Sequence, residues 1–120
     1  MAPKSKKHRI GPQLRVYLSP KDHMGPGKAD LLALIAESGS IVAAGKAMDM
    51  SYRRAWLLVD TMNKMFKTPL VTKTKGGTGG GGGAELTALG RDVLKRYRSM
   101  EKKTAKAIAG DLAVLRKAAR

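Results

Sequence analysis

Between Ser38 and Leu86 the chain reads SGSIVAAGKAMDMSYRRAWLLVDTMNKMFKTPLVTKTKGGTGGGGGAEL. This stretch constrains the fold more than any other. Ser40 and Ser51 each stand just before a helix-compatible run, in the place where a side-chain oxygen caps the first backbone N–H groups. The interruption at Asp49-Met50 leaves only a short turn between the two helices. After Pro69, Leu70 to Lys75 alternates as a strand does, and Ala84 to Leu86 supplies a returning strand. The glycine-rich run Gly76 to Gly83 joins them. Two short helices at a tight turn, followed by a hairpin, form the winged variety of helix-turn-helix. The expected fold is mainly α with a small β-hairpin or sheet, closed by a long C-terminal helix that serves dimerisation.

The flanks divide into three segments. Residues 1–12, with four basic residues, two Pro and a Gly, are expected to be a disordered basic arm. Residues 13–87 form the winged unit, and residues 88–120 the long helix. Within the unit, QLRVYL (13–18) alternates loosely and suits a third strand beside the hairpin. SPKDHMGPGK then reads as a loop, with two Pro and two Gly. Lys28 to Ser38 is an apolar helix ended by Gly39 in the C′ position. A second helix covers Ile41 to Met48. The third begins after Ser51, and Pro69 stops it. Tyr52, Ala55, Trp56, Val59, Met62 and Phe66 recur at intervals of three and four, so they share a core face. The lone Trp56 is therefore read as a packing anchor.

Charge points to the partner. Lys and Arg number 24 against 9 acidic residues, a net +15, and the excess lies in the flanks. Residues 28–87 hold eight basic and five acidic residues, whereas 88–120 hold ten against three. Such self-repulsion suits a polyanionic partner, and duplex DNA is a dense one. A capped helix start carries unpaired N–H groups and the positive end of the helix dipole. The expected contacts are Ser40 and Ser51 at two helix starts and Tyr52, Arg53 and Arg54 in the first turn of the third helix. Lys73 and Lys75 would join them from the hairpin, with Gly76, Gly77, Thr78, Gly79 and Gly80 at its tip. An Arg can bond guanine O6 and N7 with two parallel hydrogen bonds, or touch phosphate alone. Both roles stay open for Arg53 and Arg54.

Other chemistry finds little footing. The glycine run lacks a following Lys-Ser/Thr, and a strand rather than a helix comes after it, so neither common nucleotide fingerprint fits. A flexible linker is the remaining alternative to a hairpin tip. The chain has no cysteine, which excludes disulfides, zinc fingers and thiol nucleophiles. His8 and His23 lack neighbouring ligand types, so no metal site and no catalytic residue is assigned. No apolar run reaches the roughly 18 residues of a membrane span, no secretory leader is visible, and a cytoplasmic address is expected. In the last segment Leu89, Val93, Tyr97, Met100, Ile108, Leu112 and Leu115 keep helical spacing. A stripe this long on a ~45 Å helix outruns so small a body; a second copy of the chain is the expected cover, and a frayed C-terminus in a monomer is the alternative, since KKTAKAIAGDL holds few large apolar groups.

Four pieces carry a family resemblance: LLALIAESGSI (31–41), SYRRAW (51–56), the pair Met62-Asn63, and LVTKTKGGTGGGGGAELTALGRDVL (70–94). Together they resemble the DNA-binding domain of the ModE family, molybdate-responsive regulators with a LysR-like winged helix. The likeness covers about residues 14–100, and its most specific part is the glycine run with the Ala-x-Leu-Thr after it. It implies a dimeric, sequence-specific transcription regulator that reads DNA from Ser51 onward and with the Gly76–Gly83 loop. Full-length members continue into oxyanion-binding domains. This chain ends at Arg120, so no cofactor is expected within it, and molybdate would act through a separately encoded effector-binding partner if at all. The competing expectation is an architectural, nucleoid-type protein with little sequence preference, which the basic flanks favour.

Overall fold

The computed structural model describes residues 10–75 and 83–120. Most of the expected N-terminal arm, and the loop positions Gly76, Gly77, Thr78, Gly79 and Gly80, lie outside the described residues. The element order is β1 (Val16–Tyr17), β2 (His23–Met24), α1 (Pro26–Ser38), α2 (Ile41–Ala47), α3 (Tyr52–Met65), β3 (Val71–Thr74), β4 (Gly83–Leu86) and α4 (Ala88–Ala118). The chain is mainly helical with two small antiparallel sheets.

Local chemistry sets the helix ends. Pro26 opens α1 in its first turn, where a missing N–H costs nothing, so the helix starts two residues before Lys28. Gly39 closes it at φ 69°, and its N–H donates to the Ile35 carbonyl at 2.8 Å. Ser40 Oγ accepts from Ala43 N at 3.1 Å and Ser51 Oγ from Arg54 N at 3.1 Å. Between α2 and α3, Asp49 takes a left-handed φ of 57°, a conformation Asp tolerates better than most residues. Thr87 caps α4 by accepting from Gly90 N at 3.0 Å. Helix α3 ends at Met65 rather than being carried to Pro69, because Phe66 is already extended.

The third-strand expectation is corrected. β1 does not join the hairpin; it pairs with β2, Val16 opposite Met24 and Tyr17 opposite His23. The stretch expected to be only loop supplies that partner. A short connection closes on itself through Leu18 N to the Asp22 carbonyl at 2.8 Å and Asp22 N to Ser19 Oγ at 3.1 Å. Closing so short a loop costs little chain entropy.

The core is aliphatic. Leu31, Leu32 and Ile35 of α1 are fully buried, with Ala55, Val59 and Met62 of α3, Leu70 and Val71 at the hairpin root, and Ala84 and Leu86 of β4. Tyr97 of α4 is buried among them, and its hydroxyl donates to the Leu14 carbonyl at 2.6 Å. Asp30 of α1, also buried, accepts from Arg98 of α4 at 2.8 Å, and Arg98 reaches Glu101 at 2.9 Å. Burial alone would lower the pKa of Arg98; the hydrogen bonds to Asp30 and Glu101 outweigh it and hold the guanidinium above its usual value. Gly90 lies so close to the hairpin root that a Cβ there would overlap the Leu70 carbonyl.

Beyond Glu101, α4 leaves the body. Its buried residues are Gly90 and Tyr97, while Val114 and Leu115 are 68% and 66% exposed. Leu89 and Val93 pack half-buried against this chain's own core and Tyr97 lies inside it, which removes Tyr97 from the surface a second copy could touch. Of the rest of the expected dimer stripe, Leu89, Val93, Ile108 and Leu112 are half-buried, while Met100 and Leu115 are exposed. Among the described residues no helix is long and apolar enough to cross a membrane.

Candidate nucleic-acid interface

The first turn of α3 is the centre of the candidate surface. Ser51 caps it by accepting from Arg54 N, and Tyr52, Arg53 and Arg54 are exposed. Neither guanidinium has a hydrogen-bond or ion-pair partner among the described residues. Two unpaired cations at a helix start give a local positive field with donors free to meet an anion. The core-face expectation fails at Tyr52, which is 61% exposed in the first turn of the helix. Ala55, Val59 and Met62 keep that face, and Trp56 and Phe66 lie half-buried at its edge.

The hairpin stands beside this turn. Lys73 Nζ lies 4.9 Å from the centre of the Trp56 ring, within range of a cation–π contact. Tyr52 meets the same indole edge-on, ring centres 6.1 Å apart. Trp56 thus packs as expected, but it also bridges helix and hairpin. Its Nε1 is buried without a hydrogen-bond partner among the described residues. Lys73 pairs across the ladder with Ala84, Thr72 with Glu85 and Thr74 with Gly83. Lys75, just past β3, is exposed.

Bonds from Asn63, Ala84 and Thr87 hold the hairpin root. Asn63 Oδ1 accepts from Leu70 N at 2.8 Å and Val71 N at 3.1 Å, and its Nδ2 donates to the Val71 carbonyl at 3.1 Å. Ala84 N donates to the Gly39 carbonyl at 2.9 Å. The sequence marks Asn63 only as part of the Met62-Asn63 pair and assigns it no bonding role, because its partners lie seven and eight residues further on. Ser40 also stands where expected, half-buried, with its hydroxyl engaged in the α2 cap. Among the described residues no group of three His, Cys, Asp or Glu side chains is placed to hold a metal ion.

With this geometry in view, comparison with known proteins adds ancestry. No family model matches the chain. It is 44% identical over 71 residues to the molybdenum transport protein ModE of Azotobacter vinelandii, covering 59% of this chain and 26% of that protein. It is 38% identical over 84 residues to the DNA-binding transcriptional dual regulator ModE of Escherichia coli (strain K12), covering 70% and 32%. Against the molybdenum-pterin-binding protein MopB of Rhodobacter capsulatus it is 40% identical over 86 residues, covering 72% and 32%. The chain spans about a third or less of the length of these relatives.

Proposed function

Over the part it shares with these relatives the chain is a ModE-family N-terminal domain, and from that premise we propose that it binds double-stranded DNA as a sequence-specific transcription regulator. The observation that carries the reading is the first turn of α3, where Arg53 and Arg54 are exposed and, among the described residues, unpaired, beside a hairpin strand that carries Lys73. Helix α3 enters the major groove as the second helix of a winged helix-turn-helix, and β3–β4 follows the neighbouring backbone. Tyr52, Arg53 and Arg54 meet the duplex from the helix, and Lys73 and Lys75 from the hairpin. The glycines at 76, 77, 79 and 80 and Thr78 would complete the hairpin's contact.

The chain acts as a dimer in this proposal, because a two-fold pair reads two half-sites and multiplies selectivity. Met100, Ile108, Leu112 and Leu115 of α4 are the surface proposed for the second copy. No cofactor is proposed for these residues.

Selection of sites from random duplexes tests the reading. The expected product is an inverted repeat, bound with an affinity that falls steeply with salt. Arg53→Ala should cost about 1–3 kcal/mol against the selected site if the side chain reads a base, and much less against scrambled duplex. Equal loss on every duplex would favour the architectural reading. Truncation before Lys102 should lower self-association in sedimentation; an unchanged profile would place the dimer contact elsewhere.

A further inference from the structure

A concave surface of about 550 Å³ lies on the other flank of α3. Arg54 and Leu58 line it, and at 100° per residue they sit roughly 200° around the helix from Trp56. The β1–β2 segment contributes Arg15 and His23, the start of α1 contributes Lys28, and the α2–α3 turn contributes Asp49. Three segments far apart in sequence thus bring Arg15, Lys28 and Arg54 to one cavity.

The local charge balance is positive. Asp30 also lines the cavity, but its carboxylate is bonded to Arg98. Asp49 remains at the rim, and Asp22, which accepts from Ser19 Oγ at 3.2 Å, lies close enough to attract His23 and Lys28. Arg15 and Arg54 have no hydrogen-bond or ion-pair partner among the described residues. Lys28 Nζ donates to the His23 carbonyl at 2.9 Å and lies 3.4 Å from His23 Nε2. That leaves the ammonium with further donor capacity.

From this cavity and the three cations that line it we propose that the Arg15–Lys28–Arg54 cleft binds a phosphate group. The resident cations oppose one another. Desolvation first, then Lys28 and Arg15, push the His23 pKa below its usual value, and desolvation followed by Arg15 lowers that of Lys28. A dianion seated among them reverses the sign of that interaction. The volume is many times that of one water, about 30 Å³, so a hydrated phosphate or a sugar–phosphate unit fits. If the phosphate belongs to a duplex, the site rests on the DNA reading above. It then grips the strand flanking α3 on the side away from the hairpin. If the phosphate is free, the site is independent of that reading.

Two measurements on the full chain separate these sources. In the first, inorganic phosphate is titrated while the His23 ring is followed by NMR, with His23→Gln used to assign the signal. A free-anion site gives a saturable shift and a raised His23 pKa. Arg15→Ala and Lys28→Met should each weaken binding about tenfold, the scale of one charge-assisted hydrogen bond. In the second, duplex affinity is measured against salt. A duplex site lowers the slope of log K by about one in Arg15→Ala. Either result supports the cleft and names its source. No saturable phosphate shift together with an unchanged slope overturns it, as does phosphate binding that both variants leave intact. Circular dichroism establishes that the variants fold, and Arg15→Gln repeats the test with a side chain of similar reach. Should the wild-type chain fail to bind duplex at all, the proposed function falls while the phosphate titration still decides the cleft.

Discussion

From Ala88 to Glu101, α4 lies against α1 and the hairpin, with Gly90 at the Leu70 carbonyl, Tyr97 in the core and Arg98 on buried Asp30. From Lys102 to Ala118 the apolar spacing continues, yet no side chain is buried by the described residues. The same periodicity serves two purposes. In the first half it docks a helix onto its own domain. In the second it presents Val114 and Leu115 outward on a rod of about 26 Å. Spacing shows which residues share a face; only the rest of the fold decides whether that face is covered. Two glycines mark the contrast, because a Cβ at Gly90 meets backbone and one at Gly110 meets open space.

The strongest way to break this comparison is to make the same substitution at both glycines. Gly90→Ala forces a methyl group into the Leu70 carbonyl, so urea unfolding should show a loss of about 3 kcal/mol or more. A neutral result would mean that the first half of α4 is not docked as described. Arg98→Met comes next. It leaves the Asp30 carboxylate buried without its arginine and should cost about 2–3 kcal/mol, less than a fully enclosed pair because Arg98 is partly solvated. Gly110→Ala should have the opposite sign, strengthening the distal helix by about 1 kcal/mol. Slower amide exchange around residue 110 is the readout, and a destabilisation would reveal cover over that half. The smallest effect belongs to Leu115→Ser, which should change unfolding of dilute protein by under about 0.5 kcal/mol. The same variant should weaken self-association at high concentration, where the proposed second copy matters.

Features set by neighbours in sequence were legible. Ser40, Ser51 and Thr87 cap the helices they precede, and Gly39 ends α1, because a cap involves atoms only three or four residues apart. The exposure of Arg53 and Arg54 followed from their place off the apolar stripe. Features set by distant partners were not. Two-residue strands carry no usable period, so β2 is hidden among Pro and Gly, and nothing local tells that β1 pairs with it rather than with the hairpin. Tyr52 fits the stripe by spacing but projects past the end of the core that would have covered it. The Asp30–Arg98 pair joins residues from opposite ends of the domain, and no local pattern announces it. For the candidate surface, the helix residues were readable, while the convergence of Arg15, Lys28 and Arg54 required the fold.

Asn63 has a consequence for how the domain can move. One amide side chain makes three bonds to the hairpin root, and Ala84 ties the returning strand to the α1–α2 corner. The helix and the strands therefore turn together, like the jaws of a caliper locked at one width. A partner that fits the helix must accept the hairpin at a preset offset. Loosening that lock, as in Asn63→Ala, would widen the range of shapes tolerated before it altered any residue that touches them.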